Sequence, residues 1–134
     1  MNRLSDVVLL LLRVGTGLLL IVNHGWGKLI SAYGYMAQGK DWKFIEGVGN
    51  LGFPMPAFFA VAAALAEGIG SILLILGLFT RYAALFIMIT MGVAIYRHVT
   101  TDFRFEMAAL YFLIALAFVF VHPGRFSVDA SRRK

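Results

Sequence analysis

Two charges of opposite sign, each set within an apolar stretch, are the residues of this 134-residue chain best placed to do chemistry: Arg13 and Glu67. Arg13 interrupts the run that begins at Val7, and Glu67 is the single charge between Ala57 and Phe79. If both stretches are helices, Arg13 lies ~12 Å of rise from Ser5 and ~15 Å from Asn23, and Glu67 lies ~15 Å from Ala57 and ~18 Å from Phe79. An unpaired charge at such depth in a bilayer costs at least ~2.5–3.5 kcal/mol. Two opposite charges at one depth on neighbouring helices offset each other, which predicts an Arg13–Glu67 ion pair facing the bundle interior. Two readings of the pair stand. It is a clamp that fixes helix register, or it is a site where Arg13 holds an anionic or carbonyl-bearing ligand while Glu67 moves a proton.

The histidines are the next candidates. His24 follows the first apolar stretch and His98 closes the third. Imidazole titrates near neutral pH, so the two can hydrogen-bond quinone carbonyls, relay protons or ligate a metal or haem. Equally, they can be interfacial side chains satisfied by water and headgroups. Trp26 and Lys28, beside His24, complete a candidate ligand-binding set of Arg13, Glu67, His24, Trp26, Lys28 and His98.

The elements that must position these residues follow from composition. The chain is 60% hydrophobic and 14% charged, with a mean hydropathy of +0.83. Soluble domains carry ~45–50% apolar residues with glycine included and ~25% charged ones. Four spans of ~20 residues would need ~80 apolar residues, and 60% of 134 supplies them. This argues against a soluble enzyme and a disordered chain. The net charge of +5 sits mainly at segment ends, where lipid headgroups and the positive-inside bias account for it better than nucleic acid does. With no cysteine, thiol redox chemistry, thiolate metal sites and iron–sulfur clusters are excluded within this chain; no metal is expected.

The resulting expectation is an all-α, polytopic membrane protein forming a single membrane domain over residues 1–134. Its four transmembrane helices lie at approximately 5–23, 57–79, 82–96 and 106–121, with a long outer loop at 24–56 and a cytoplasmic tail at 122–134. Arg13 breaks the Met1–Gly17 run and no small-residue cleavage site follows, so the first helix reads as a retained span rather than a signal peptide. Counting Lys and Arg places Arg3, Arg81, Arg125, Arg132, Arg133 and Lys134 inside, with both termini cytoplasmic. In the outer loop, Asp41 is placed to cap a short amphipathic helix through Trp42, Ile45 and Val48, lying as a lid on the outer surface. The stripes Ala60/Ala64/Gly68 and Ala66/Gly70 predict close helix packing.

Several short motifs, in order, resemble the DoxX family. Arg13 is followed by His24-Gly25-Trp26-Gly27-Lys28-Leu29, similar to an H-G-x-x-K-L segment. Leu51-Gly52-Phe53-Pro54-Met55-Pro56 is similar to an L-G-x-P-x-P lead into the second helix. Leu76-Gly77-Leu78-Phe79-Thr80-Arg81 is similar to an L-G-L-x-T-R turn, and Gly124-Arg125-Phe126-Ser127-Val128-Asp129 to a G-R-x-S-x-D ending. His122-Pro123 precedes Gly124 where the family commonly has glycine.

The resemblance implies a four-helix protein of the bacterial inner membrane, linked to membrane oxidoreductase complexes and quinone chemistry. On that basis the expected function is a quinone-linked subunit or partner of an oxidoreductase. Glu67, Arg13 and His24 would be its catalytic residues, and it would not catalyse alone. The alternatives are a non-catalytic assembly subunit or a small-molecule or proton carrier. A carrier of four short helices would act as a homo-oligomer. In the tail, Asp129 is placed to pair with Arg81 or Arg125 and tie the chain beneath the bundle.

Overall fold

The computed structural model describes residues 2–133. Met1 and Lys134, the latter one of the basic residues counted for orientation, lie outside the described residues. The elements are α1 (Arg3–Leu20), a π-helical turn (Ile21–Gly25), α2 (Trp26–Gln38), α3 (Lys43–Asn50), α4 (Pro56–Leu76), α5 (Thr80–Thr100), α6 (Glu106–Phe120) and α7 (Val128–Arg132). The described residues contain no strand, and the architecture is all-α.

Among the described residues, three helices are long and apolar enough to cross a membrane: the continuous Arg3–Gln38 helix, Pro56–Leu76 and Thr80–Thr100. Glu106–Phe120 is apolar but shorter, about 22 Å at the usual rise. The π turn joins α1 and α2 into one helix of 36 residues, about 54 Å long.

Helix α4 is central, packing against α1, the π turn, α2, α3 and α5, while α5 packs in turn against α6. Leu20, Leu74, Ile87, Met91, Tyr111 and Phe118 fill the core among small alanines. Large apolar side chains such as Leu19, Val22, Ile69, Phe86, Leu113 and Phe120 point outward. That outward surface suits hydrocarbon rather than water.

Sequence signals fix the ends of these helices. The Asn2 side chain accepts a hydrogen bond from the Ser5 amide at 2.8 Å and caps α1. Pro56 begins α4 at the position where a missing N–H costs nothing. Gly77 ends it with φ +70° while the Leu78 amide reaches back to the Leu73 carbonyl, the hydrogen bond that closes a helix through a left-handed residue.

The segment 24–56 differs from the expected outer loop. Most of it is helical, because Gly25 and Gly27 continue the helix instead of breaking it. A short helix does follow, but its N-cap position is Trp42, not Asp41, and no side-chain hydrogen bond caps it. Trp42 packs with Tyr35 and Phe44 at centroid distances of 6.5 and 5.4 Å, and α3 lies against α4 with Val48 buried.

The two small-residue stripes also separate. Ala60, Ala64 and Gly68 are buried, and Leu29 occupies the space a Gly68 side chain would need. Ala66 instead borders open space between α4 and α5, on the same face as Gly70.

Candidate functional site

Arg13 and Glu67 do not form a pair. α1 and α4 run antiparallel, with Gly17 beside Ser71 and Gly25 beside Glu67 and Gly68. This register puts Arg13 level with Gly77, ten residues or about 15 Å along α4 from Glu67. The expected pairing assumed a first helix ending near Asn23; continuation to Gln38 slides the register away from it.

Arg13 is 1% exposed and serves the C-terminal tail. Its Nη1 donates to the Pro123 carbonyl at 2.8 Å and its Nη2 to the Phe126 carbonyl at 2.7 Å. Around this fork the tail docks by several further bonds. The Asp129 carboxylate accepts from the Phe79 and Thr80 amides, each at 2.9 Å, and so caps α5. The Asp129 amide donates to the Gly77 carbonyl at 2.9 Å. The Arg125 amide donates to Asp6 at 3.1 Å.

Gly77 must lack a side chain here, since a Cβ would fall 2.5 Å from that of Ser127 and 2.9 Å from the Arg13 guanidinium carbon. His122 accepts from the Gly124 amide at 3.0 Å within the same turn. The expected pairing of Asp129 with Arg81 or Arg125 is therefore replaced by helix capping, with Arg132 lying over the Phe79 ring at 5.2 Å. Burial works against the Asp129 carboxylate. Hydrogen bonds from Thr80 and Phe79 and the Arg132 charge outweigh it, so the group sits below the usual carboxylate range.

Glu67 is 2% exposed, and its partner is Lys28. The Lys28 ammonium donates to Glu67 Oε1 at 2.6 Å and lies 4.7 Å from the Phe44 ring centre. Glu67 Oε2 is buried and has no hydrogen-bond partner among the described residues. Both residues face a cavity of about 530 Å³ lined by the π turn and helices α2 to α6. Its walls are mainly apolar, with Phe44, Val48, Phe59, Met91 and Ala108 among them.

Six further polar or titratable side chains reach the cavity: His24, Thr90, Tyr111, Arg97, His98 and Arg104. The His24 and Tyr111 rings meet edge to face at 6.0 Å. The Tyr111 hydroxyl, like Glu67 Oε2, is buried without a partner among the described residues. His98 Nδ1 lies 2.9 Å from Asp102, and a carboxylate only accepts, so Nδ1 carries the proton and Nε2 is the nitrogen left over. That bond and the Arg104 amide hold the Asp102 carboxyl below its ordinary range.

Of the six candidate ligand-binding residues, the structure brings together Glu67, His24, Lys28 and His98. It leaves out Arg13, which holds the tail, and Trp26, which is 58% exposed and does not line the cavity. Tyr111, Arg97, Arg104 and Phe44 line it without having been expected to. Tyr111 was legible as the only hydroxyl in the apolar run Met107–Val121.

The H-G-x-x-K-L segment acquires a physical reason at every specified position. His24 lines the cavity. Gly25 lets the helix approach α4 so closely that a Cβ would fall 2.7 Å from the Glu67 carbonyl oxygen. Lys28, one turn beyond His24, meets the Glu67 carboxylate, and Leu29 packs over Gly68. The π turn that carries His24 and Gly25 is a distortion often found at functional sites.

The DoxX family model matches residues 8–100. The chain belongs to the DoxX family. It is 36% identical over 118 residues to an uncharacterized protein of Haemophilus influenzae, covering 76% of this chain and 84% of that one. It is 34% identical over 93 residues to the inner membrane protein YphA of Escherichia coli, covering 69% of this chain and 59% of YphA. No solved structure matches the chain. This DoxX chain is thus a membrane protein with apolar helices, whose H-G-x-x-K-L and L-G-L-x-T-R motifs build two different places, the cavity wall and the tail dock.

Proposed function

We propose that this DoxX chain binds the head ring of a membrane quinone in the Glu67 cavity and acts as a quinone-linked subunit of a membrane oxidoreductase. The observation that carries the reading is a mainly apolar cavity lined by Glu67 and Tyr111, each of which holds a buried polar atom, Oε2 and the hydroxyl, with no partner among the described residues. Buried polar groups are rarely left unsatisfied, and sites for small molecules combine apolar walls with a few convergent polar groups in ~300–1,000 Å³. A flat ring carrying two carbonyl or hydroxyl oxygens fits that description.

A quinone supplies two-electron, two-proton redox chemistry, with the electrons exchanged with a partner oxidoreductase. Within the chain, the Tyr111 hydroxyl donates to a ring oxygen. Glu67 and His24 take or give the protons. The Lys28 ammonium, not Arg13, supplies the positive charge that steadies a developing oxyanion. The membrane is the inner membrane, as the name of YphA suggests, with both termini on the cytoplasmic side.

The test is thermal unfolding in nanodiscs with and without 2-methyl-1,4-naphthoquinone. The quinone is expected to raise the Tm of the wild-type chain and to leave Glu67→Gln and Tyr111→Phe unchanged. No shift for the wild type at saturating quinone overturns the reading. A second reading, a non-catalytic assembly subunit, is favoured by Arg13 giving both terminal nitrogens to the tail and lining no part of the cavity. It is supported if the chain shows no response to quinone yet copurifies stoichiometrically with an oxidoreductase.

A further inference from the structure

We infer that the ligand of the Glu67 cavity is a single-chain membrane amphiphile, which enters sideways from the bilayer and lays its apolar chain along the groove between α4 and α5. A groove of about 610 Å³ runs along these helices, walled by Ile69, Leu73 and Tyr82 among others. Ala62, Ala66 and Phe86 border both the groove and the cavity, so the two spaces adjoin. From Ala62 to Leu73 is eleven residues, about 16 Å of helix rise and roughly the reach of three or four isoprene units.

The groove exists because its floor is small. Ala66 and Gly70 of α4 and Ala83 of α5 replace the bulk that would otherwise fill the helix–helix seam. The stripe alone would be ordinary packing. What distinguishes it is where it lies: it shares Ala62, Ala66 and Phe86 with the cavity that Glu67 and Tyr111 line. A ligand with a compact hydrogen-bonding head and one long chain satisfies both spaces at once. A diacyl lipid does not, because the groove gives a course for one chain only. A water-soluble ligand would leave the groove unused.

The inference rests on the cavity being a headgroup site, and chain length separates the two ideas. The wild-type chain in nanodiscs is titrated with 2-methyl-1,4-naphthoquinone and with the same ring carrying four isoprene units, at one fixed lipid concentration. Ile69→Trp, which fills the groove from its lipid-facing side, is titrated in parallel, so partitioning into lipid cancels between the two proteins.

The gain from the chain comes from packing rather than from leaving water, so the tailed ligand is expected to bind wild type about fivefold more tightly than it binds Ile69→Trp. The bare ring is expected to bind both equally. Equal binding of the tailed ligand to both proteins overturns the groove and leaves the headgroup site standing. Failure of both ligands to bind wild type overturns the groove and the headgroup site together. Should Ile69→Trp fail to fold, Leu73→Phe tests the same groove from its far end.

Discussion

At the scale of single residues, the two charges within the apolar helices divide the work. Arg13 uses its planar fork on two backbone carbonyls that no helix or sheet satisfies, a task suited to guanidinium and poorly matched by ammonium. Arg13→Ala removes two charge-assisted bonds, each worth about 1.5–3 kcal/mol when made to a charged group. The tail beyond Pro123 is then expected to become cleavable by added protease in detergent, while quinone-dependent stabilisation persists. Loss of the quinone response with the tail still protected would return Arg13 to the cavity.

Lys28 and Glu67 predict a coupled pair. Lys28→Met strands a buried carboxylate and is expected to cost about 3–5 kcal/mol, of which Lys28→Met with Glu67→Leu recovers most. Additive losses in a double-mutant cycle would contradict direct pairing. The presence and opposite signs of Arg13 and Glu67 were legible in the sequence, and so was their need for partners. Their true partners were not. Lys28 was hidden in what read as a loop, and backbone carbonyls of a remote tail leave no mark on residue type.

At the scale of elements, the register between the first helix and α4 decides everything above it. Glycines at 25 and 27 look like helix breakers, whereas Gly25 is the point where α4 comes closest. A tertiary contact thus overrides local propensity. The tail motif, by contrast, could be foreseen as a tie beneath the bundle, and only its bonding was misassigned: Asp129 caps a helix instead of meeting an arginine.

That capping has a pH signature. The Asp129 carboxyl is held below its usual range in the folded chain. Its contribution is therefore fully present above the unfolded value of about 3.9 and is lost as pH falls through the lower folded value. Hydrogen exchange at the Phe79 and Thr80 amides is expected to stay protected, after correction for intrinsic rates, from pH 7 to pH 4 and to rise below it. Asp129→Asn should remove this acid step. An unchanged step in the variant would assign it to another group.

At the scale of the whole molecule, the contacts between α1 and the tail constrain topology. Arg125 meets Asp6, and Gly124 lies against Leu9, so the start of α1 and the chain beyond α6 share one end of the bundle. Gln38 is where the Arg3–Gln38 helix finishes, at the other end from that dock. We expect an even number of crossings from this geometry, with the short α6 completing the last one by local thinning or by snorkelling of Arg104.

The absence of cysteine makes the arrangement directly measurable by single introduced thiols. With a membrane-impermeant maleimide on intact spheroplasts, Gln38→Cys and Thr101→Cys are expected to label, and Ser131→Cys only after lysis. Labelling of Ser131→Cys together with Gln38→Cys in intact cells would mean an odd number of crossings and would break the α1–tail dock. Labelling of Ser131→Cys alone would keep the dock and invert the bundle. Arg97, His98 and Arg104, which line the cavity, would then lie toward the cytoplasm, where a soluble oxidoreductase could reach the ring from the opposite side.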